Sequence, residues 1–146
     1  MGKRIRAQRR GSSPKNRVNS HRFPGANRLP RKDDEIGEVV DMIHSPVHTG
    51  PLAKLKFEDG TTGHVAATEG MFVGQKIAFG ENVSLRPGNV TILSEIPEGT
   101  AICNVECRPG DGGKFARSGG NNAMLETRMG DRVRVRLPSG NLKDLP

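Results

Sequence analysis

The first 32 residues carry eleven arginines and lysines and not one aspartate or glutamate, which limits the fold more than any other feature of the chain. Only Ile5, Val18, Phe23 and Leu29 are available there to build a core. So few apolar groups cannot offset the entropy of ordering the segment, and alone it is expected to be a disordered or extended arm. Residues 33–146 hold 12 basic and 16 acidic residues, a net of −4 beneath the +7 of the whole chain. A basic arm on a near-neutral body is the pattern of arms that bind nucleic acid. The bland alternative for the arm is a solvated tail or a localisation signal.

The body has 28 Leu, Ile, Val and Phe residues in 114, enough for small barrels and too few for a large enzyme core. Pro, Gly and Asn interrupt it every 8–12 residues, and no apolar stripe of helical spacing lasts three turns, so the body reads as all-β. Strands are expected over 35–45, 51–58, 61–67, 76–79 and 90–96. Asp59-Gly60 should supply the positive φ angles of a tight hairpin turn. Five short strands in residues 33–96 fit an OB-type barrel. Pro97-Glu98-Gly99 then separates a second unit, 97–146, with strands expected at 101–107, 124–129 and 132–137. In the last of these Val133, Val135 and Leu137 alternate with Arg132, Arg134 and Arg136. Side chains two residues apart on a strand share a face at about 6.6 Å spacing, so the arginines form a ridge matched to phosphates.

Several chemistries are disfavoured. Cys103 and Cys107 have no further cysteine to complete a zinc site, and His21, His44, His48 and His64 are scattered without ligand spacing, so no metal or cofactor is expected. No nucleophile–base pair can be assembled, so no catalytic residue and no small-molecule substrate are assigned. No apolar run approaches a membrane span, and no apolar stretch follows the charged start as in a secretory signal. A mitochondrial transit peptide also lacks acids, but Gly11, Pro14 and Pro24 would break its amphipathic helix. The glycine-rich run 108–120 lacks the Gly-Lys-Ser/Thr ending of a nucleotide-binding loop, and a strand is expected after it. It reads either as a loop that lets backbone approach RNA, with Arg108, Lys114 and Arg117 at phosphates, or as a floppy hairpin loop. Trp and Tyr are absent, which favours recognition of folded RNA by backbone and shape over base stacking.

The opening Met1-Gly-Lys-Arg-Ile-Arg-Ala-Gln-Arg-Arg-Gly11, the Ser20-His21-Arg22 step, the run Pro109-Gly-Asp-Gly-Gly-Lys-Phe-Ala-Arg-Ser-Gly-Gly120 and Arg136-Leu-Pro-Ser-Gly140 closely resemble the universal large-subunit ribosomal protein L-two family, in its archaeal and eukaryotic branch. The resemblance extends over essentially the whole chain. It implies an N-terminal extension, an OB-type barrel and an SH3-like barrel bound to large-subunit ribosomal RNA in the cytoplasm, beside neighbouring ribosomal proteins. It also implies support of subunit assembly and association and of the peptidyl-transferase region. Together with the charge pattern, it nominates as RNA contacts Lys3, Arg4, Arg6, Arg9, Arg10, Lys15, Arg17, His21 and Arg22 in the arm. Arg108, Lys114, Arg117, Arg128, Arg132, Arg134 and Arg136 are nominated in the body. Family members continue beyond the position of Pro146, closing the second barrel and adding an extension with glycines and a histidine. That histidine has no counterpart here, and the expectation is a partial, interrupted or split form with an incomplete second barrel and an open sheet edge. The competing function is a free OB-type RNA-binding chaperone outside the ribosome, which would favour stacking aromatics on the barrel face.

Overall fold

A computed structural model describes residues 5–6, 23–31 and 34–146. The described elements are strands β1 (Ile36–Ile43), β2 (Leu52–Phe57), β3 (Thr62–Ala66), β4 (Lys76–Ala78), β5 (Ala101–Ile102), β6 (Ala123–Met129), β7 (Arg132–Arg136) and β8 (Leu142–Leu145), with one 3-10 turn at Leu93–Glu95. They form two antiparallel four-stranded sheets, ordered β3-β2-β1-β4 and β5-β6-β7-β8. The fold is all-β, an OB-type barrel followed by an SH3-like one.

In the first sheet the inward set is Val39, Ala53, Leu55, Phe57, Val65, Ile77 and Phe79, with Met71 from the loop before β4. Full burial of each Leu, Ile or Phe contributes about 1.5–3 kcal/mol, so this cluster outweighs any local preference of the strands. The Phe57 and Phe79 rings meet at 5.5 Å in a tilted arrangement. Gly37, opposite Phe57 in the register, leaves room for that ring, since a Cβ there would lie 3.0 Å from it. A bulge between Val39 and Asp41 turns Val40 outward and bends β1, the coiling a small barrel needs.

Two local expectations change in detail. Gly60 has φ 82° but Asp59 does not have positive φ. The Gly60 N–H bonds the Phe57 carbonyl and the Phe57 N–H bonds the Thr61 carbonyl. This is the three-residue hairpin, in which only the glycine needs the left-handed region, and the Asp59 carboxylate accepts the Thr61 N–H and hydroxyl instead. The fifth strand of the barrel contracts to a parallel bridge between Val90 and Phe79, and Leu93–Glu95 forms the 3-10 turn. The cause is a change of core. Val90 packs on the first cluster, whereas Leu93 and Ile96 pack on the second, so the chain must turn between them.

The second core is Val105, Ala123, Leu125, Val133, Val135 and Leu145, with Leu137 and Phe115 packed against it. The alternation in β7 is realised: Val133 and Val135 are buried, and the arginines stand on the opposite face. The strand expected over 101–107 contracts to Ala101–Ile102 because Asn104 adopts φ 52°, and pairing resumes only at the Val105–Phe115 bridge. Strand β8 covers β7 and is itself an edge of its sheet.

Residues 23–31, counted above with the arm, lie against both barrels. Asn27 is buried, and its side-chain oxygen accepts the Ala66 N–H at the β3 edge. The Arg28 N–H bonds the His64 carbonyl, and the Leu29 N–H bonds the Gly112 carbonyl in the glycine-rich loop. Leu29 packs on the first core. This stretch acts as a strap, blunting the exposed edge of β3 while joining the barrel to the loop.

Candidate nucleic-acid interface

The glycine-rich loop is held from inside by two carboxylates. Glu106 accepts the N–H groups of Gly110 at 2.7 Å and Gly112 at 2.8 Å, one on each oxygen. Asp111 accepts the N–H groups of Cys107 and Arg108 on one oxygen and that of Gly113 on the other. Desolvation is the largest single influence on the Asp111 carboxyl and raises its pKa. The three amides and the nearby Lys114 charge together outweigh it and hold the group below the usual aspartate range. The amides of 107–113 that could have cradled a phosphate are therefore already engaged. What this half of the loop leaves exposed for a ligand is side chains, Arg108 and Lys114 among them.

The second half of the loop meets the first barrel. The Gly119 N–H donates to the Thr49 hydroxyl at 2.7 Å, and a Cβ at Gly119 would lie 3.1 Å from the Gly50 nitrogen. The Arg117 guanidinium donates to the Asn27 carbonyl. Ala116 sits at φ 50°, and its carbonyl accepts the Asn104 N–H. Buried Ser45 shares a hydrogen bond with His48 Nδ1, which organises the facing loop. Strap, facing loop and glycine-rich loop thus converge at the seam between the barrels.

Eight of the nominated contacts (Lys3, Arg4, Arg9, Arg10, Lys15, Arg17, His21 and Arg22) lie outside the described residues. Arg6, Arg108, Lys114 and Arg132 are exposed. Four others are engaged with protein groups. Arg117 holds Asn27, and Arg128 donates to the Ile96 carbonyl while its own N–H bonds Glu98. Arg134 makes a two-pronged pair with Asp144, at 2.8 Å and 3.1 Å. That pair raises the Arg134 pKa and lowers that of Asp144. Arg136 pairs with Glu126, the residue displaced by the bulge in β6. The β7 ridge is therefore mostly neutralised, and Arg132 is its one member without an ion pair among the described residues.

Sequence reasoning missed the seating of Arg28 and Arg31. Arg31 donates from Nε and Nη2 to the Gly110 carbonyl, and the Arg28 side chain lies across Gly112. No local pattern signals this seating, because Arg31 and Gly110 lie 79 residues apart in the sequence. Among the described residues no His, Cys, Asp or Glu group could hold a metal ion, both cysteines are free thiols, and no helix is long and apolar enough to cross a membrane.

Residues 86–146 match the family model for Ribosomal Proteins L2, C-terminal domain. Over nearly its whole length the chain is 42% identical to the Large ribosomal subunit protein uL2 of Archaeoglobus fulgidus, covering 98% of this chain and 62% of the relative. The chain is similar to that ribosomal protein along nearly its whole length, and its residues 86–146 to the C-terminal domain of such proteins. The uL2 proteins of Methanothermobacter thermautotrophicus and Natronomonas pharaonis are each 45% identical, over 99% of this chain and 63% and 61% of their own lengths. The chain thus spans somewhat under two thirds of these uL2 relatives. All three are archaeal, in keeping with the branch to which its opening residues point.

Proposed function

We propose that this chain is a non-enzymatic structural constituent of the large ribosomal subunit. It binds ribosomal RNA through the basic arm and the seam between its barrels, and it supports subunit assembly and association near the peptidyl-transferase region. Its partners are large-subunit ribosomal RNA and neighbouring ribosomal proteins, and it acts in the cytoplasm. The 42% identity to an archaeal uL2 over 98% of the chain is the observation that carries this reading. The acid-free residues 1–32 support it, because neutralising phosphates with such a segment releases counterions and favours binding. The three units of the proposed organisation are the arm 1–32, the OB-type barrel 33–96 and the SH3-like barrel 97–146.

A free OB-type RNA chaperone is the weaker alternative. Phe57 and Phe79 are buried, and the exposed Phe72 and Phe23 lie outside the strands, so no described strand of the first sheet offers an exposed aromatic for base stacking. Sedimentation of the tagged chain in native lysate tests the proposal. Co-migration with the large subunit that persists at high salt is expected of an integral component. Release into light fractions at every salt concentration would overturn it.

A further inference from the structure

An open cleft runs between the strap and β3, lined by Arg28, Pro30, Arg31, Thr62 and His64 among others, with no carboxylate among the described residues of its lining. Both arginines reach it from seats on the glycine-rich loop. A Cβ on Gly112 would lie 2.6 Å from Arg28 Nε and 2.9 Å from its Cδ, so the Arg28 stem rests directly on the glycine backbone. The Arg31 guanidinium donates twice to the Gly110 carbonyl, leaving three of its five N–H donors for another acceptor. His64 is held in the same manner, its ring against the Gly25 backbone.

From this geometry we infer that the cleft takes an RNA backbone phosphate, bound by Arg28 and Arg31, and that Gly110 and Gly112 serve as seats for those guanidiniums. This deepens the proposed RNA-binding role and rests on it. The physical case has three parts. Two arginine side chains fixed by contact lose less rotamer freedom on binding than free surface lysines do. Guanidinium groups match phosphate oxygens in a forked geometry. The loop amides, which would otherwise compete for the anion, are already held by Glu106 and Asp111. Thr62 and His64 line the β3 side of the cleft and add polar side chains to it.

The test is a salt series of binding between the full chain and a transcript of Archaeoglobus fulgidus large-subunit ribosomal RNA. The variants are Arg28→Gln with Arg31→Gln, a charge-matched control of Lys56→Gln with Lys76→Gln on the exposed face of the first sheet, and Arg28→Lys with Arg31→Gln. Each lost phosphate contact lowers the log–log slope by about 0.7–0.9. The double arginine variant, which gives up that one phosphate, is therefore expected to lose about 0.7–0.9 from the slope, the lysine control almost nothing, and Arg28→Lys with Arg31→Gln to recover roughly half of the loss. Arg28→Gln alone is expected to leave the urea midpoint unchanged, because its side chain makes no hydrogen bond to a described residue. Equal slope losses for the arginine and lysine pairs would overturn the cleft assignment while leaving RNA binding intact. No detectable wild-type binding even at low salt would instead overturn the RNA-binding role on which the cleft depends.

Discussion

Gly113 illustrates how one atom governs the seam. Its φ is 87°, and an added Cβ would lie 2.8 Å from Asn104 Cγ and 2.9 Å from the Asn104 carbonyl oxygen. Asn104 is itself left-handed and buried, so its backbone and side chain have little room to move away from an added methyl. Gly113→Ala is expected to cost about 2 kcal/mol or more, from the left-handed penalty plus the clash, read as a lower urea midpoint. Two residues earlier, Asp111 makes the loop sensitive to acid. Its folded carboxyl is held below its unfolded value, so the stabilisation is complete above the unfolded pKa and is lost as pH falls through the folded pKa. The protection factors of the Cys107, Arg108 and Gly113 amides, referred to the intrinsic exchange rate at each pH, should therefore fall at the acid end of a titration, and Asp111→Asn should already show the lower protection at neutral pH. The glycines of this loop were legible as turn residues. Their carboxylate partners were not, because hydrogen bonds between positions 106 and 112 depend on a chain reversal that composition does not specify.

At the scale of the elements, legibility followed the strength of the pattern. Strand β7 was readable residue by residue, since strict alternation of Val and Arg leaves one way to bury the valines. The hairpin of β2 and β3 was readable from Asp59-Gly60, although the turn type was not, because both hairpin forms accept that pair. The region 90–96 misled for a tertiary reason: Val90, Ile92 and Leu93 look like one strand, yet Val90 and Leu93 belong to different cores. The arginine ridge was legible as a row but not as a charge. Its carboxylate partners Glu126 and Asp144 come from a bulge in β6 and from β8, and no local pattern reports such cross-strand neighbours. Arg132, with no ion pair among the described residues, is therefore the ridge position that should matter most. Arg132→Glu is expected to weaken binding to large-subunit ribosomal RNA about tenfold, and Lys54→Glu on β2 by much less, in filter-binding titrations at matched salt. Equal losses would remove the ridge from the interface.

The whole molecule is electrostatically lopsided, which sets how it can approach RNA. Residues 33–96 carry four basic residues against ten acidic ones, a net of −6, while residues 97–146 carry eight against six. Phosphates are therefore repelled by most of the first barrel and attracted to the arm, the strap and the second barrel. The strap resolves the tension between a cationic arm and an acidic barrel by docking through Asn27, Leu29 and backbone hydrogen bonds, with no ion pair to another described residue. Stability and RNA affinity should consequently separate along the chain. Removal of residues 1–22 deletes eight of the eleven cations of the acid-free segment and leaves the strap in place. Each of those cations that meets a single-stranded phosphate contributes about 0.7 to the salt slope, so the shortened chain should lose several units of slope. Its free energy of unfolding, read by urea titration, should stay within about 0.5 kcal/mol of the full chain, the range of changes remote from packed groups, with the midpoint nearly unmoved. Removal of residues 1–31 should lower that midpoint as well, because Leu29 leaves the first core and the β3 edge loses its cover. A midpoint that falls already with residues 1–22 would make the outer arm part of the folded body, and a slope that survives their loss would return the RNA contacts to the barrels alone.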